Sequence, residues 1–285
     1  IMGCATNPVT GKTQLMLLSP EDEVLLGEDA RKEVIKEFGG LYRDAELQDY
    51  IAYVGSKLVD AAYHHYPKIP KVYKFKFHVV NSSIVNAFAL PGGNIFVTRG
   101  LLLHLQNEDM LAAVLGHEVM HACLRHGAAR ISQALLAQGL LSVTAAATSK
   151  SKAGPYIAAV AIVGSTLLTL KYSRHQEDQS DLYGMKIMVD AGYNPGGMVQ
   201  VFQKFKELEG GSRGIAWLST HPLPEDREKN TKRRIERDYP HIITRPMKID
   251  TYKKATASIR RSRKAYEHYD QGEDSMASRS YSTAI

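Results

Sequence analysis

A chain of 285 residues and 31.6 kDa, 44% hydrophobic and 23% charged, has the composition of an ordinary globular protein. Wholesale disorder, a collagen-like chain and a polytopic membrane protein are excluded. Lys+Arg outnumber Asp+Glu by 36 to 30, but the excess is local: residues 226–264 hold 14 basic and 5 acidic side chains, so the rest of the chain is slightly acidic. Two cysteines, Cys4 and Cys123, are too few for a disulfide framework, and a core of this size needs none.

In chain order, Ile1-Met2-Gly3-Cys4 puts a small residue directly before a cysteine and an apolar one three before it. That resembles the end of a bacterial lipoprotein signal, with Cys4 as the lipidated residue; an incidental cysteine in a loose terminus is the alternative. Residues 1–17 are expected as a linker. Ser19-Pro20 with Glu21 and Asp22 combines a cap, a first-turn proline and acids at the positive dipole end. The apolar periodicity predicts a helix from there to about position 38 and a second over 46–66. Residues 71–80 alternate as a strand, and 94–98 follow the turn Pro91-Gly92-Gly93 as another, predicting a small antiparallel sheet. From 107 to about 238 the chain reads as helix, broken at 150–155, 192–197 and 210–224. The apolar stretch 156–170 is shorter than the roughly 20 residues that span a bilayer, so it predicts a buried core helix or shallow membrane contact. Residues 271–285 read as a polar, mobile tail. The fold class is α+β, mainly helical.

His117-Glu118-Val119-Met120-His121 is an HExxH motif. On a helix, positions i and i+4 share a face, so both imidazoles reach one metal ion with Glu118 beside them. Met110, Val114, His117, His121 and Leu124 step by three and four residues, which puts both histidines on the inward stripe of an amphipathic helix. A hydrolytic zinc site needs a third protein ligand. The metzincin extension would place it at position 127, but that residue is Gly127 and His126 falls one short.

Leu167, Leu170, Arg174, Glu177, Asp181, Met185 and Met188 share one face of a later helix, apolar at both ends and ionic in the middle. Buried charge wants a partner, and a cation on the facing helix supplies one. Glu177 then becomes the third ligand. Asp181 accepts the second ring N–H of a ligand histidine, and Arg174 pairs with Asp181 or faces substrate. Cys123 reads as a buried helix residue.

HEVMH together with Ser173-Arg174, Glu177, Asp181 and Gly184 resembles the HtpX-like and BepA-like zinc metallopeptidases. Further matches are Asn86 to Gly93, Thr98-Arg99-Gly100-Leu101, Gly192-Tyr193-Asn194-Pro195 and Ser219-Thr220-His221-Pro222 with Arg227, over roughly 18–237. Ser180 stands where that family usually has alanine. The resemblance implies a zincin-like gluzincin domain over 18–240, with a small antiparallel sheet and an HExxH active-site helix. It implies one Zn²⁺ per chain on His117, His121 and Glu177, Glu118 as general base, and His221 or Arg227 as donor to the oxyanion. His221 is also expected to cap the metal at rest. Peptide is expected to add as a strand along Gly93, Asn94, Ile95 and Phe96.

The opening GCATNPVTG is similar to the start of periplasmic lipoprotein members. The resemblance therefore implies a bacterial periplasmic protein, anchored at the outer membrane through Cys4, that degrades unfolded or misfolded envelope proteins. A basic extension over 241–285, partly disordered, is too short for a tetratricopeptide array. No nucleic-acid partner is expected. The competing expectation is a zinc-stabilised, self-capped chaperone-like or binding protein, whose basic stretch meets anionic lipid or acidic partners at the membrane surface.

Overall fold

The computed structural model describes residues 3–137, 171–209, 215–222 and 225–277. The expected break at 150–155, the apolar stretch 156–170, part of the break at 210–224 and the tail after 277 lie outside the described residues.

Cys4–Thr6 (β1) and Thr13–Leu15 (β2) form an antiparallel hairpin. Asn7 Oδ1 accepts from the Val9 and Thr10 backbone N–H groups and turns the chain, while Asn7 Nδ2 donates to Leu124 O at 2.9 Å. The stretch expected as a linker is thus folded against the domain, with Cys4 exposed. Helix α1 (Pro20–Glu37) begins at a capping box between Ser19 and Asp22, and α2 (Ala45–His65) is capped by Asp44.

The main sheet has β3 (Lys76–Val80), β4 (Ala87–Ala89) and β5 (Asn94–Thr98) in the order β3-β5-β4. β3 runs parallel to β5 and β4 antiparallel to it, so the sheet is mixed where a purely antiparallel one was expected. The cause is β4, three residues long and too short to show alternation, which reverses the chain between the other two strands. Residues 71–75 stay outside β3 because β5 offers partners only from Asn94, opposite Lys76. β5 is buried along its length because both faces of the sheet are covered. Phe96, Phe88 and Val80 pack with Val34 and Phe38 of α1, while Ile95, Val97 and Val79 join the main core.

After α3 (Arg99–His104) come α4 (Glu108–Cys123), α5 (His126–Ala137), α6 (Arg174–Asp190), α7 (Gly196–Glu209), the short α8 (Ala216–Thr220) and α9 (Glu225–Asp238). Helix α4 is buried on every side, among α2, α6, α7 and β4, so the single inward stripe read from its spacing understates its place in the fold. α4 and α6 meet at Gly116 and Gly184: a Cβ on Gly184 would sit 3.1 Å from the backbone of Gly116 and His117. This close approach brings side chains of the two helices together in the centre of the molecule.

Helix α6 ends at Gly192, whose φ of 88° is the left-handed cap glycine provides. Beyond α9 the chain is stapled back. Asp109, in the first turn of α4, accepts from Asn194 N and Lys248 N. In α10 (Ile249–Ala255), buried Tyr252 donates to Leu102 O at 2.6 Å, and Ile259 of α11 (Ala257–Ala277) is fully buried. The described part of the basic extension therefore shares the main core. Its last residues, 271–277, continue α11 where a mobile tail was expected, because Tyr266 packs on Tyr42 and Arg99 and carries the helix onward. Among the described residues no helix is long and apolar enough to cross a membrane.

Candidate metal centre

Local sequence sets the ends of the two central helices. Asn107 Oδ1 caps α4 by accepting from Met110 N at 2.8 Å, and a Ser173–Gln176 capping box starts α6. With the helices so fixed, His117 Nε2 and His121 Nε2 face each other at 2.9 Å. Glu177 oxygens lie 3.5 and 3.4 Å from them. His221, at the end of α8, turns Nδ1 to Thr220 Oγ1 and its Nε2 inward. Donor atoms of His117, His121, Glu177 and His221 all lie within 4.8 Å of one another, and all four residues are buried. Both Glu177 oxygens, His221 Nε2 and Glu118 Oε2 have no hydrogen-bond partner. Each such orphan costs about 1–3 kcal/mol if nothing satisfies it, and three imidazoles with one carboxylate are a donor set suited to zinc.

A second ring of contacts orients these donors. His117 Nδ1 donates to Asp181 Oδ1 at 2.9 Å, which leaves Nε2 free for a metal. Asp181 is gripped by Arg227 through Nε–Oδ2 at 2.8 Å and Nη2–Oδ1 at 2.7 Å. Burial would raise the Asp181 carboxyl, but Arg227 and His117 outweigh it and hold it at about 2. Arg227 Nη1 donates to Pro222 O and lies 2.8 Å from Glu177 Oε2 as an ion pair without hydrogen-bond alignment. Arg227 thus bridges the two carboxylates, with Nε, Nη1 and Nη2 each engaged by a protein oxygen.

Of the two roles expected for Arg174, the structure corrects the pairing with Asp181: Arg174 is exposed at the first position of α6, and the cationic partner of Asp181 is Arg227 of α9. The structure also corrects Gly93, Asn94, Ile95 and Phe96 as a peptide-binding edge. β5 is the central strand, paired on both sides. Asn94 donates to Glu28 and meets His78, Ile95 and Phe96 fill the two faces of the core, and Gly93 is in the turn with φ 108°. β3 and β4 are the outer strands, and at β4 the Ala89 backbone N–H faces the Glu118 carboxylate.

Two aromatic residues escaped the sequence reading. Trp217 Nε1 donates to Glu118 Oε1 at 3.1 Å, and its ring stacks on His221 at 4.6 Å between centroids. Its backbone N–H donates to Val85 O, so this segment lies beside the start of β4. Tyr172 packs 4.0 Å from His121 and 4.9 Å from His221. No spacing rule points to either; the one signal is that Trp217 is the sole tryptophan, four residues before His221. Burial pushes the Glu118 carboxyl up to about 7, against the opposing pull of His117 and Trp217.

A family model described as Peptidase family M48 matches residues 45–235, a span that holds the whole donor cluster. Over 246 residues the chain is 32% identical to a Vibrio cholerae protein described as a putative beta-barrel assembly-enhancing protease, covering 84% of this chain and 49% of the relative. It is 28% identical to the beta-barrel assembly-enhancing protease of Escherichia coli, again covering 84% and 49%. It is also 28% identical to the mitochondrial metalloendopeptidase OMA1 of Schizosaccharomyces pombe, covering 86% and 69%. The chain spans about half the length of the bacterial relatives it matches.

Proposed function

The chain belongs to peptidase family M48, and from that premise we propose that it is a zinc-dependent endopeptidase that hydrolyses unfolded or misassembled proteins of the bacterial envelope. The observation that carries this reading is the convergence of His117, His121, Glu177 and His221 in one buried cluster beside Glu118, with both Glu177 oxygens, His221 Nε2 and Glu118 Oε2 left without a hydrogen-bond partner. The named role of the bacterial relatives supports the envelope setting. The exposed Cys4 is available for a lipid that would hold the domain at the outer membrane, facing the periplasm.

Bound zinc supplies a Lewis acid for the scissile carbonyl and acidifies a water toward neutral pH. His117, His121 and Glu177 hold the ion, and Asp181 fixes the tautomer of His117. Glu118 takes the proton of the attacking water and returns it to the leaving amine. An extended peptide pairs with the outer edge of β4, next to Glu118. Main-chain pairing reads no particular side chain, which suits unfolded substrates.

In the described conformation a donor nitrogen of His221 lies within 4.8 Å of the other three donors and Trp217 holds Glu118 Oε1. We read this as a resting state that opens when the segment carrying both withdraws. Zinc content and casein hydrolysis of the wild type and Glu118→Gln test the reading. The variant should keep one zinc per chain and lose at least about a hundredfold in rate; a zinc-loaded variant at wild-type rate would end the proposal. Zinc binding without turnover in both wild type and His221→Ala would favour the self-capped binding protein instead.

A further inference from the structure

His126 is buried against the donor cluster but is not one of the donors, and the hydrolytic reading makes no use of it. On an unbroken helix, a residue five positions after His121 would point about 140° away from it. The helix is broken here. Leu124 caps α4, and Arg125 takes a left-handed conformation with φ 59°, the one described non-glycine residue to do so. Buried Arg125 is held in that turn by Glu23 Oε1 at 2.6 Å and Leu18 O at 2.7 Å. The turn swings the start of α5 back onto α4. His126 Nδ1 then lies 3.1 Å from His121 Nδ1, and His126 Nε2 lies 3.1 Å from Gln179 Oε1 on α6. Ser180, which replaces the alanine usual in the resembling family, places Oγ 3.4 Å from the same His126 Nδ1.

These contacts determine where the protons sit. His121 presents Nε2 to the metal position, so its ring proton is on Nδ1 and points at His126 Nδ1. The proton of His126 must then be on Nε2, where the Gln179 amide oxygen accepts it. We propose that His126 is a positioning residue for zinc, accepting the His121 Nδ1–H so that the tautomer and ring angle of His121 are fixed, with Gln179 fixing His126 in turn. The inference rests on the zinc reading above. The two ligand histidines are then oriented by unlike partners, His117 by the carboxylate of Asp181 and His121 by a neutral imidazole.

The test is zinc affinity of the full chain, measured by competition with a chromophoric chelator, together with the visible spectrum of the Co²⁺-loaded protein. His126→Leu should weaken zinc binding about 10- to 100-fold and shift the cobalt spectrum. His126→Asn, whose Oδ1 can accept the same bond, should recover most of the loss, and Gln179→Leu should lose affinity in the direction of His126→Leu. Wild-type affinity in His126→Leu would overturn the inference. So would His126→Asn binding as weakly as His126→Leu, since volume alone would then explain the effect. Should His126→Leu fail to fold, His126→Asn with near-wild-type affinity and Gln179→Leu with weakened affinity carry the inference, and the reverse pattern overturns it. His121→Ala separates the two levels. If wild type binds no zinc, or His121→Ala binds it equally well, the zinc reading fails; if only the His126 and Gln179 variants are without effect, the positioning role alone fails.

Discussion

Arg227 illustrates how a charged residue can govern a site through the groups it holds. Its guanidinium spans Asp181 and Glu177, both buried, so removing it takes the guanidinium from both and leaves Asp181 with His117 alone. Breaking a buried pair from one side costs about 3–5 kcal/mol. Arg227→Met is therefore expected to lower thermal stability and zinc affinity together, while casein hydrolysis per bound zinc stays near wild type. A residue that donates to the oxyanion would behave oppositely, losing turnover at full zinc occupancy. Arg227→Lys should recover only part of the loss, because an ammonium cannot reproduce the two-pronged contact with Asp181. Residue identity was legible where one helix carries the whole relation, as at His117, Glu118 and His121. The pairing of Arg227 with Asp181 was not legible, because the two lie 46 positions apart and on different helices.

Among elements, the crossing of α4 and α6 decides whether the donors converge at all. Gly116 and Gly184 let the two backbones touch, and a larger residue has only backbone to displace. Gly184→Val should cost about 1–3 kcal/mol by overpacking and should separate His117 from Asp181 and Glu177. Reduced urea resistance with weakened zinc binding would bear this out; unchanged zinc affinity would show that the helices can part without disturbing the donors. A different element contact gives a pH dependence. Glu28 of α1 binds Lys76 at 2.7 Å and Asn94 at 3.0 Å, which hold its carboxyl down at about 2 from an ordinary 4.5. The folded value lies below the unfolded one, so this stabilisation is present above about pH 4.5 and is lost as the pH falls through about 2. The group is partly exposed and screened, so under about 1 kcal/mol is at stake. Urea midpoints of wild type and Glu28→Gln should differ slightly at pH 6 and converge near pH 2.

For the whole molecule, the buried donor cluster makes folding depend on its ion. At about a thousandfold excess over the dissociation constant, a ligand bound only by the folded state stabilises it by about 4 kcal/mol. Chelation should then lower the melting temperature by roughly 10 °C, and zinc should restore it. The C-terminal region belongs to the same unit, since Tyr252 and Ile259 lie in the main core with α2 and α4. A chain ending at Pro240 should be markedly less stable than the full chain by urea denaturation, whereas an autonomous domain would be indifferent to the loss.

From the amino-acid sequence alone, HExxH on a helix, the acidic face holding Glu177 and Asp181, the capped start of α1 and the family resemblance were all legible. Each of these is a local pattern, set by helical spacing or by side chains bonding backbone a few positions away. The tertiary structure alone decided which charges face inward, which strands form the edges and what surrounds the metal donors. Arg174 is exposed and it is Arg227 that pairs with Asp181; β5 is central and β3 and β4 are the outer strands. His126, one position short for a ligand, reaches His121 through a left-handed turn. Those outcomes depend on partners tens to more than a hundred residues away, such as Glu23 with Arg125 and Trp217 with Glu118. Contacts of that kind leave no period in the sequence, because they are formed when packing closes the chain and not when its elements form.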